Sequence, residues 1–248
     1  MASMSSLKET NDTKIADPVS HYTDFFMRLA KPEEIFPPFK AAIPQQSYET
    51  SVVIGSLWYH LSEAIVDYLC TSLAKLENPY IRHFVVQTAY EELGEESEDK
   101  LHTDLLRHTL KVAGIHDNDI LEWSGEMDVK ASLDTLHAQL DECQTDAEIA
   151  GLLLGLEIIA FENIQNVVDS ISYSEEVAAR VLETDWVRMH NVMEEAHIRR
   201  AVSVFVRFMP DLTSQRKFVH RFSQAMDFWK AFWGSVAQAA SRNAGVMV

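Results

Sequence analysis

The chain has 248 residues, 47% of them hydrophobic and 24% charged, which fits one globular domain with a sizeable core. Its formal net charge of −17 argues against nucleic acid and anionic membranes as partners, since both are bound through basic surfaces. Cys70 and Cys143 form no C-x₂-C pair and no apolar run is long enough for a membrane span, so we predict a cytoplasmic protein. Few glycines and prolines among long periodic stretches predict an all-α fold.

The N-terminal region is predicted to be a tail followed by one domain. Residues 1–18 are polar and predict a mobile tail, and residues 19–248 are expected to form a single helical bundle of about seven helices. The first helix is predicted from Pro18 to Ala30, and the prolines between Pro32 and Pro38 predict a loop.

A long helix is predicted from Tyr48 to Leu76, where apolar residues recur at helical spacing. It carries Trp58 and Tyr59, which either pack in the core or line a substrate pocket. The next helix begins at Asn78-Pro79, because proline is favoured in the first helical turn.

An acidic turn follows the helix that begins at Asn78-Pro79. The apolar pattern leads to Glu92 and stops at Gly94, and a new amphipathic helix that contains His102 is predicted to begin near Ser97. An acidic run of this kind is most often solvated surface. Glu92 and His102 are therefore candidate ligands only if partners occur elsewhere in the chain.

One such partner is Glu157. Residues 117–128 are predicted to be a connection and residues 127–143 a helix, after which Thr145 is a candidate N-cap of the helix that carries Glu157. This glutamate lies among about ten apolar residues, a pattern typical of a buried helix. A buried carboxylate must be neutral, paired or bound to a metal.

The strongest pattern lies in a helix predicted from Glu175 to Phe208. His190, Glu194 and His197 stand at positions i, i+4 and i+7, which places them within about 60° of one another on one helix face. Two imidazoles and a carboxylate on one stripe suit a metal ion, although a solvated face could carry them too. A last helix, rich in Phe and Trp, follows Pro210.

These residues together resemble the haem-oxygenase-like diiron oxidases and oxygenases. That family has an acidic turn with Gly followed by H-x-x-L, then a mid-chain Glu, then H-x₃-D-x₂-H. The resemblance covers about residues 48–233, with Glu194 in place of the family's Asp and acidic residues in place of the turn's second Gly. It implies six iron ligands, which are Glu92, His102, Glu157, His190, Glu194 and His197.

The resemblance also implies a mechanism and an assignment of ligands. One iron would take Glu92, His102 and Glu157, and the other His190, Glu194 and His197. Two Fe(II) ions would react with O₂ as co-substrate to give a peroxo-diferric species, with electrons from an external donor. The expected reaction is N-oxygenation, oxidative C–C cleavage, desaturation or decarboxylation of a small amine or amino acid in secondary metabolism.

An amino-acid substrate would need a cation to hold its carboxylate. Arg200 and Arg207 on the His197 helix and Arg221 on the last helix are the candidates, since arginine pairs bidentately with carboxylates. Each could equally be an exposed, salt-bridged arginine. Whether the protein is a homodimer stays open.

Three other functions remain open at this point. A metal-independent, thiaminase-like hydrolase or binding protein of the same fold would not need the six ligands. A haem oxygenase would need an early axial histidine, for which His21 is the candidate. A non-catalytic helical partner protein would not explain why the carboxylate of Glu157 lies in a helix that is predicted to be buried.

Overall fold

The computed structural model describes residues 17–43 and 46–244. This part of the chain contains twelve α-helices and no strand, so the all-α prediction is confirmed. The helices are α1 (Pro18–Ala30), α2 (Phe36–Ala42), α3 (Tyr48–Lys75), α4 (Pro79–Glu92), α5 (His102–Val112), α6 (Asp117–Glu122), α7 (Met127–Glu142), α8 (Asp146–Glu157), α9 (Ala160–Ile171), α10 (Glu175–Val181), α11 (Asp185–Phe208) and α12 (Leu212–Asn243).

Two predicted loops contain short helices. Residues Pro32–Glu34 form a 3₁₀ turn and α2 follows at once, with its prolines in the first turn, where the missing N–H costs no hydrogen bond. The predicted connection at residues 117–128 contains α6, whose N-terminus is capped by Asp119 reaching back to the backbone of His116. Prolines in the first turn favour α2, and a local cap favours α6.

Two helices that were predicted to be continuous are divided. The helix that carries Glu157 ends there as α8, and α9 begins at Ala160 after two fully buried isoleucines. The predicted helix from Glu175 to Phe208 breaks at residues 182–184, which separate α10 from α11. These breaks and the short helices raise the count above the predicted seven.

The core forms around α12, a helix of 32 residues that packs against α8, α3 and α7. The closest approach is to α8, where a Cβ on Gly155 would overlap the side chain of Ala225 and one on Gly151 would overlap the backbone of Phe218. Because α8 also packs against α11, this close contact sets the position of Glu157 relative to the ligands on α11.

The predicted tail lies outside the described residues except for its last two. Asp17 is the N-cap of α1 and Pro18 is its first residue. Among the residues that the structure describes, no helix is long and apolar enough to cross a membrane.

Candidate metal centre

Six acidic and imidazole side chains from four helices line one cavity of about 100 Å³ inside the bundle. They form two groups, and within each group the candidate ligand atoms lie within 4.8 Å of one another. The first group is Glu92, His102 and His190, and the second is Glu157, Glu194 and His197. All six residues selected from the sequence are therefore brought together.

The grouping differs from the predicted assignment, which gave one iron all three ligands of α11. The structure places His190 with Glu92 and His102, and it places Glu157 with the other two α11 residues. Seven residues of helix rise about 10 Å, so His190 and His197 share a face but lie nearly two turns apart. Helix α11 therefore runs past both groups and supplies ligands to each.

Three of the six residues stand at helix ends. Glu92 is the last residue of α4, Glu157 is the last residue of α8, and His102 is the first residue of α5. The C-terminal end of a helix carries a partial negative charge from its unpaired carbonyls. Two carboxylates placed at two such ends concentrate negative charge, and a bound cation would neutralise it.

The turn between α4 and α5 depends on Gly94. This residue has φ +84°, and a Cβ there would overlap the backbone of Ser97 and Lys100. Glycine adopts this left-handed conformation without the steric cost that other residues pay. The tight turn brings His102 back beside Glu92, with Nδ1 of the histidine 3.1 Å from Oε2 of the glutamate.

In the first group, His190 is oriented and kept neutral as a metal ligand requires. His190 Nδ1 lies 2.7 Å from the carbonyl oxygen of Trp186, to which it can donate, leaving Nε2 free to bind a metal. Burial lowers the pKa of His190 to about 4, so this ring is neutral at pH 7. The buried Nδ1 of His102 lies against the carboxylate of Glu92.

Burial also acts on Glu92, where it works to raise the pKa. The neighbouring imidazoles of His102, His190 and His197 outweigh that effect and hold the pKa of Glu92 below its usual value. The side chain is therefore a carboxylate at neutral pH. Two imidazoles and a carboxylate fit a metal ion that prefers N and O ligands, such as iron.

The second group is oriented by a pair of charged residues: Glu91, which the sequence analysis missed, and Arg200, which it named as a substrate cation or a salt-bridged arginine. His197 Nε2 lies 2.9 Å from Oε2 of Glu91, so the nitrogen that faces the cavity is Nδ1, 3.7 Å from Oε2 of Glu157. Arg200 donates two hydrogen bonds of 2.7 and 2.8 Å to Glu91. A carboxylate that accepts from a ligating histidine fixes the ring and its tautomer.

Glu91 and Arg200 therefore hold the His197 ring on the side that faces away from the cavity. Burial works to raise the pKa of Glu91, but Arg200 and His197 outweigh it and hold that pKa below its usual value. The sequence signal for this pair is weak. Glu91 directly precedes the candidate ligand Glu92. Arg200 lies three residues after His197, so Arg200 and His197 share one helix face.

Changing Glu91 to Gln is expected to lower the affinity of the second group for Fe(II) by about tenfold, because orienting partners of this kind typically contribute 10- to 100-fold. Titration of the metal-free protein with Fe(II) under anaerobic conditions measures the effect. The exposed Glu96 in the following turn is the matched control, and Glu96→Gln is expected to bind normally. Equal affinity in the two variants would show that Glu91 does not orient the ligand.

Glu194 is the candidate ligand whose negative charge its surroundings compensate least. Burial raises its pKa to about 9, with contributions from the nearby carboxylates of Glu157, Glu92 and Glu162. Its Oε2 is buried and has no hydrogen-bond partner among the described residues. Burial also raises the pKa of Glu157. A metal ion would supply the missing positive charge, so the donor set fits the implied iron.

The raised pKa predicts how the effect of metal depends on pH. Between pH about 4.5 and 9 the folded, metal-free protein keeps a proton on Glu194 that the unfolded chain loses, so its stability falls as pH rises. Iron needs the ionised carboxylate, so the stabilisation by Fe(II) grows with pH. The gap in Tm between Fe(II)-loaded and metal-free protein should therefore widen from about pH 6 to about pH 8.

The variant Glu194→Gln provides the control, because an amide does not titrate. Its metal-free form is expected to lose less stability over that pH range than the metal-free form of the unmodified protein. A gap in Tm that stays constant over the range would contradict the assignment of Glu194 as a ligand.

The predicted substrate residues do not all lie at the cavity. Trp58 lines the cavity, whereas the hydroxyl of Tyr59 accepts a hydrogen bond from Arg107 and Tyr59 does not line it. None of the three arginines lines the cavity: Arg200 pairs with Glu91, Arg207 is exposed over the rings of Phe84 and Phe208, and Arg221 pairs with Glu142 and Gln224. The three arginines therefore lie outside this cavity, and Arg200 lines a neighbouring one together with Glu157 and His197.

Similar folds occur among solved structures. Two crystal structures of a CADD-like protein of unknown function from Nostoc punctiforme give TM-scores of 0.70, at 14% and 13% identity, covering 90% and 93% of this chain and 98% of theirs. A TenA homologue from Pseudomonas syringae pv. tomato gives a TM-score of 0.63 at 15% identity, covering 89% of this chain and 93% of its own. At such identities the similarity shows the fold alone.

Sequence comparison adds the family. A search of curated proteins finds no significant match. The sequence model of a family described as iron-containing redox enzymes matches residues 56–230, which include all six metal-capable residues. The haem-oxygenase-like family predicted from the ligand spacing is thereby confirmed. Because the match spans most of the chain, the protein belongs to the iron-containing redox enzyme family.

Proposed function

We propose that the protein is a non-haem diiron oxidase or oxygenase that uses O₂ to oxidise a small metabolite. The observation that carries this proposal is the pair of three-residue groups, each of N and O donors, that face one cavity. Carboxylates and imidazoles on facing helices are the ligands of carboxylate-bridged diiron sites in helical bundles. Membership of the iron-containing family supports the same metal.

The protein's residues would hold two iron ions side by side. Glu92, His102 and His190 would bind one, and Glu157, Glu194 and His197 would bind the other. Bound iron would supply the open coordination positions and the electrons with which O₂ is activated. For repeated turnover those electrons would come from an external donor, since iron oxidised in one cycle must be reduced before the next.

The cavity walls would keep the reaction away from water. Apolar side chains of Leu61, Ile65 and Leu156 line the cavity together with the two groups. A dry site strengthens electrostatic interactions and protects reactive species from hydrolysis. N-oxygenation, C–C cleavage, desaturation and decarboxylation are the reactions that we propose for such a site, with a small molecule such as an amine or amino acid as substrate.

Anaerobic loading followed by O₂ tests this function. Metal analysis of the purified protein after loading with Fe(II) is expected to give about two iron ions per chain, one for each group. Rapid mixing with O₂ should then consume O₂ and produce a transient change in visible absorbance. A protein that retains no iron would support the metal-independent, thiaminase-like alternative instead.

The haem-oxygenase alternative has a separate test. His21, its candidate axial ligand, is exposed on α1 and does not line the cavity. Added haem is therefore expected to give no Soret band of a bound, histidine-ligated haem. Such a band, lost in His21→Ala, would replace the diiron proposal.

A further inference from the structure

A second, smaller cavity of about 40 Å³ borders the second group of candidate ligands. Glu157 and His197, two of the three residues of that group, line both this cavity and the larger one that all six candidate ligands line. The two cavities therefore share a wall that is made of candidate ligands. We call the smaller one the apolar cavity, for the residues that line it.

The lining of the apolar cavity comes from α3, α4, α8 and α11. Among the described residues thirteen line it, and nine of these are apolar. Leu69, Ile81, Leu154 and Val204 are examples, each no more than 5% exposed. The larger cavity, in contrast, is lined by the six candidate ligands and also by the polar side chains of Ser62 and Asn163.

The polar side chains of the apolar cavity already have partners. Arg200 donates to both oxygens of Glu91 and to the hydroxyl of Thr88, which itself donates to a backbone carbonyl. His197 Nε2 is bound to Glu91, and Glu157 lies 3.7 Å from Nδ1 of His197. A water molecule inside a protein usually makes two to four hydrogen bonds. This cavity has few free polar atoms to offer, so it favours an apolar occupant.

Size and polarity together select the occupant. A water molecule needs at least about 10–15 Å³ of cavity volume, so a cavity of about 40 Å³ has room for a diatomic gas but not for a metabolite of several heavy atoms. Iron bound at the shared wall would attract an anion, but an anion would lose its hydration against nine apolar side chains. Dioxygen is neutral and apolar, so it meets no such cost.

We propose that the apolar cavity binds O₂ and delivers it to the second group between Glu157 and His197, while the larger cavity takes the substrate. The two reactants would then reach the centre from opposite sides of one wall, and a bound substrate would not block O₂. This inference deepens the proposed function and rests on it for the reaction of O₂. The binding of a gas can be tested separately from that reaction.

Xenon tests the cavity itself, because dry apolar cavities in proteins bind this gas. Crystals of the full chain, metal-free and Fe(II)-loaded, are pressurised with xenon under anaerobic conditions. A xenon atom is expected among Leu69, Val85 and Leu153 in both forms. Ordered water at this position, or xenon bound only elsewhere in the molecule, would overturn the proposal.

A substitution that fills the cavity tests the delivery of O₂. Ala201 lines the cavity on α11, and Ala201→Leu adds three carbon atoms to it. This variant is expected to lose the xenon site. Its Fe(II)-loaded form should react with O₂ about tenfold more slowly, because a molecule can enter a filled core only by displacing packed side chains. The exposed Ala196 on the same helix provides the matched control, and Ala196→Leu should change neither measurement.

The opposite substitution separates delivery from general packing. Leu153→Ala enlarges the cavity, so it should bind at least as much xenon as the unmodified protein and react with O₂ at least as fast. A residue that serves only to pack the core would slow the reaction in both Ala201→Leu and Leu153→Ala. Circular dichroism identifies any variant that fails to fold, and the remaining variant then decides.

Iron content, measured on every sample, keeps the two proposals distinguishable. Full iron content with a rate constant for O₂ that Ala201→Leu does not lower would overturn O₂ delivery and leave the diiron function intact. A protein that retains no iron would reject the diiron function. Xenon in the apolar cavity of such a protein, absent in Ala201→Leu, would still uphold the gas site.

Discussion

Replacing His190 or Glu157 with alanine is expected to abolish the reaction of the Fe(II)-loaded protein with O₂ while leaving its helical content unchanged. Each residue is one of the three candidate ligands in its group. Partners behind a ligand already contribute 10- to 100-fold, so loss of a ligand itself should cost more than about 100-fold. The fold should persist, because the core around α12 does not depend on these side chains.

Iron content, O₂ uptake and circular dichroism measured together test this expectation without knowledge of the substrate. Two exposed residues provide matched controls: Glu195 lies on α11 beside Glu194, and His108 lies on α5 with His102. Glu195→Ala and His108→Ala are expected to react normally. Full reactivity in His190→Ala or Glu157→Ala would remove that residue from the site.

The two variants are also expected to differ in which iron they lose. His190→Ala should empty the group that contains Glu92 and His102, whereas Glu157→Ala should empty the group that contains Glu194 and His197. If the predicted assignment from the resemblance were correct, Glu157→Ala would instead affect the position held by Glu92 and His102. Spectroscopic distinction of the two iron environments in each variant separates these assignments.

The long helices could be predicted from sequence because their apolar residues repeat with a helical period. Helix α3 illustrates this, since its observed bounds, Tyr48–Lys75, differ from the prediction by one residue. Where a helix ends within an apolar stretch, however, periodicity contains no signal. Glu157 ends α8, yet the two isoleucines that follow it are buried and continue the hydrophobic pattern.

For the site, the six candidate ligands could be selected from sequence, but their division into two groups could not. The spacing of His190, Glu194 and His197 places them on one face, and it says nothing about which of them meets Glu92 or Glu157 on other helices. The same limit applies to the supporting residues. Glu91 and Arg200 are 109 positions apart, and only the packing of α4 against α11 brings them together.

The part of α11 that carries the ligands is expected to be held in place largely by the metal. From residue 188 to residue 198 the buried side chains are His190, Glu194 and His197, while Val192 is 78% exposed. This segment therefore buries polar groups and few apolar ones. Without a cation, each unsatisfied polar group costs on the order of 1–3 kcal/mol, and little apolar burial offsets it.

Local unwinding removes this free-energy cost with the smallest loss of other interactions, because only the contacts of one segment are lost and the remaining fold stays intact. The segment is bounded on its N-terminal side by Trp186 and Val187, which are buried and anchor the start of α11. On the C-terminal side Val202, Val204 and Phe205 are buried and anchor its end. Opening should therefore be confined to the turns between these anchors.

Hydrogen exchange measured by mass spectrometry on metal-free and Fe(II)-loaded protein, both anaerobic, tests this expectation. Peptides from residues 188–198 should exchange at least about tenfold faster without metal, the change expected when roughly 1.4 kcal/mol of local stability is lost. Peptides from α7, Met127–Glu142, contain no candidate ligand and should exchange equally in both states. Equal protection of residues 188–198 in the two states would show that the site is preformed. In that case the polar groups of α11 would be stabilised within the metal-free bundle, and binding of iron would release no folding energy in this helix.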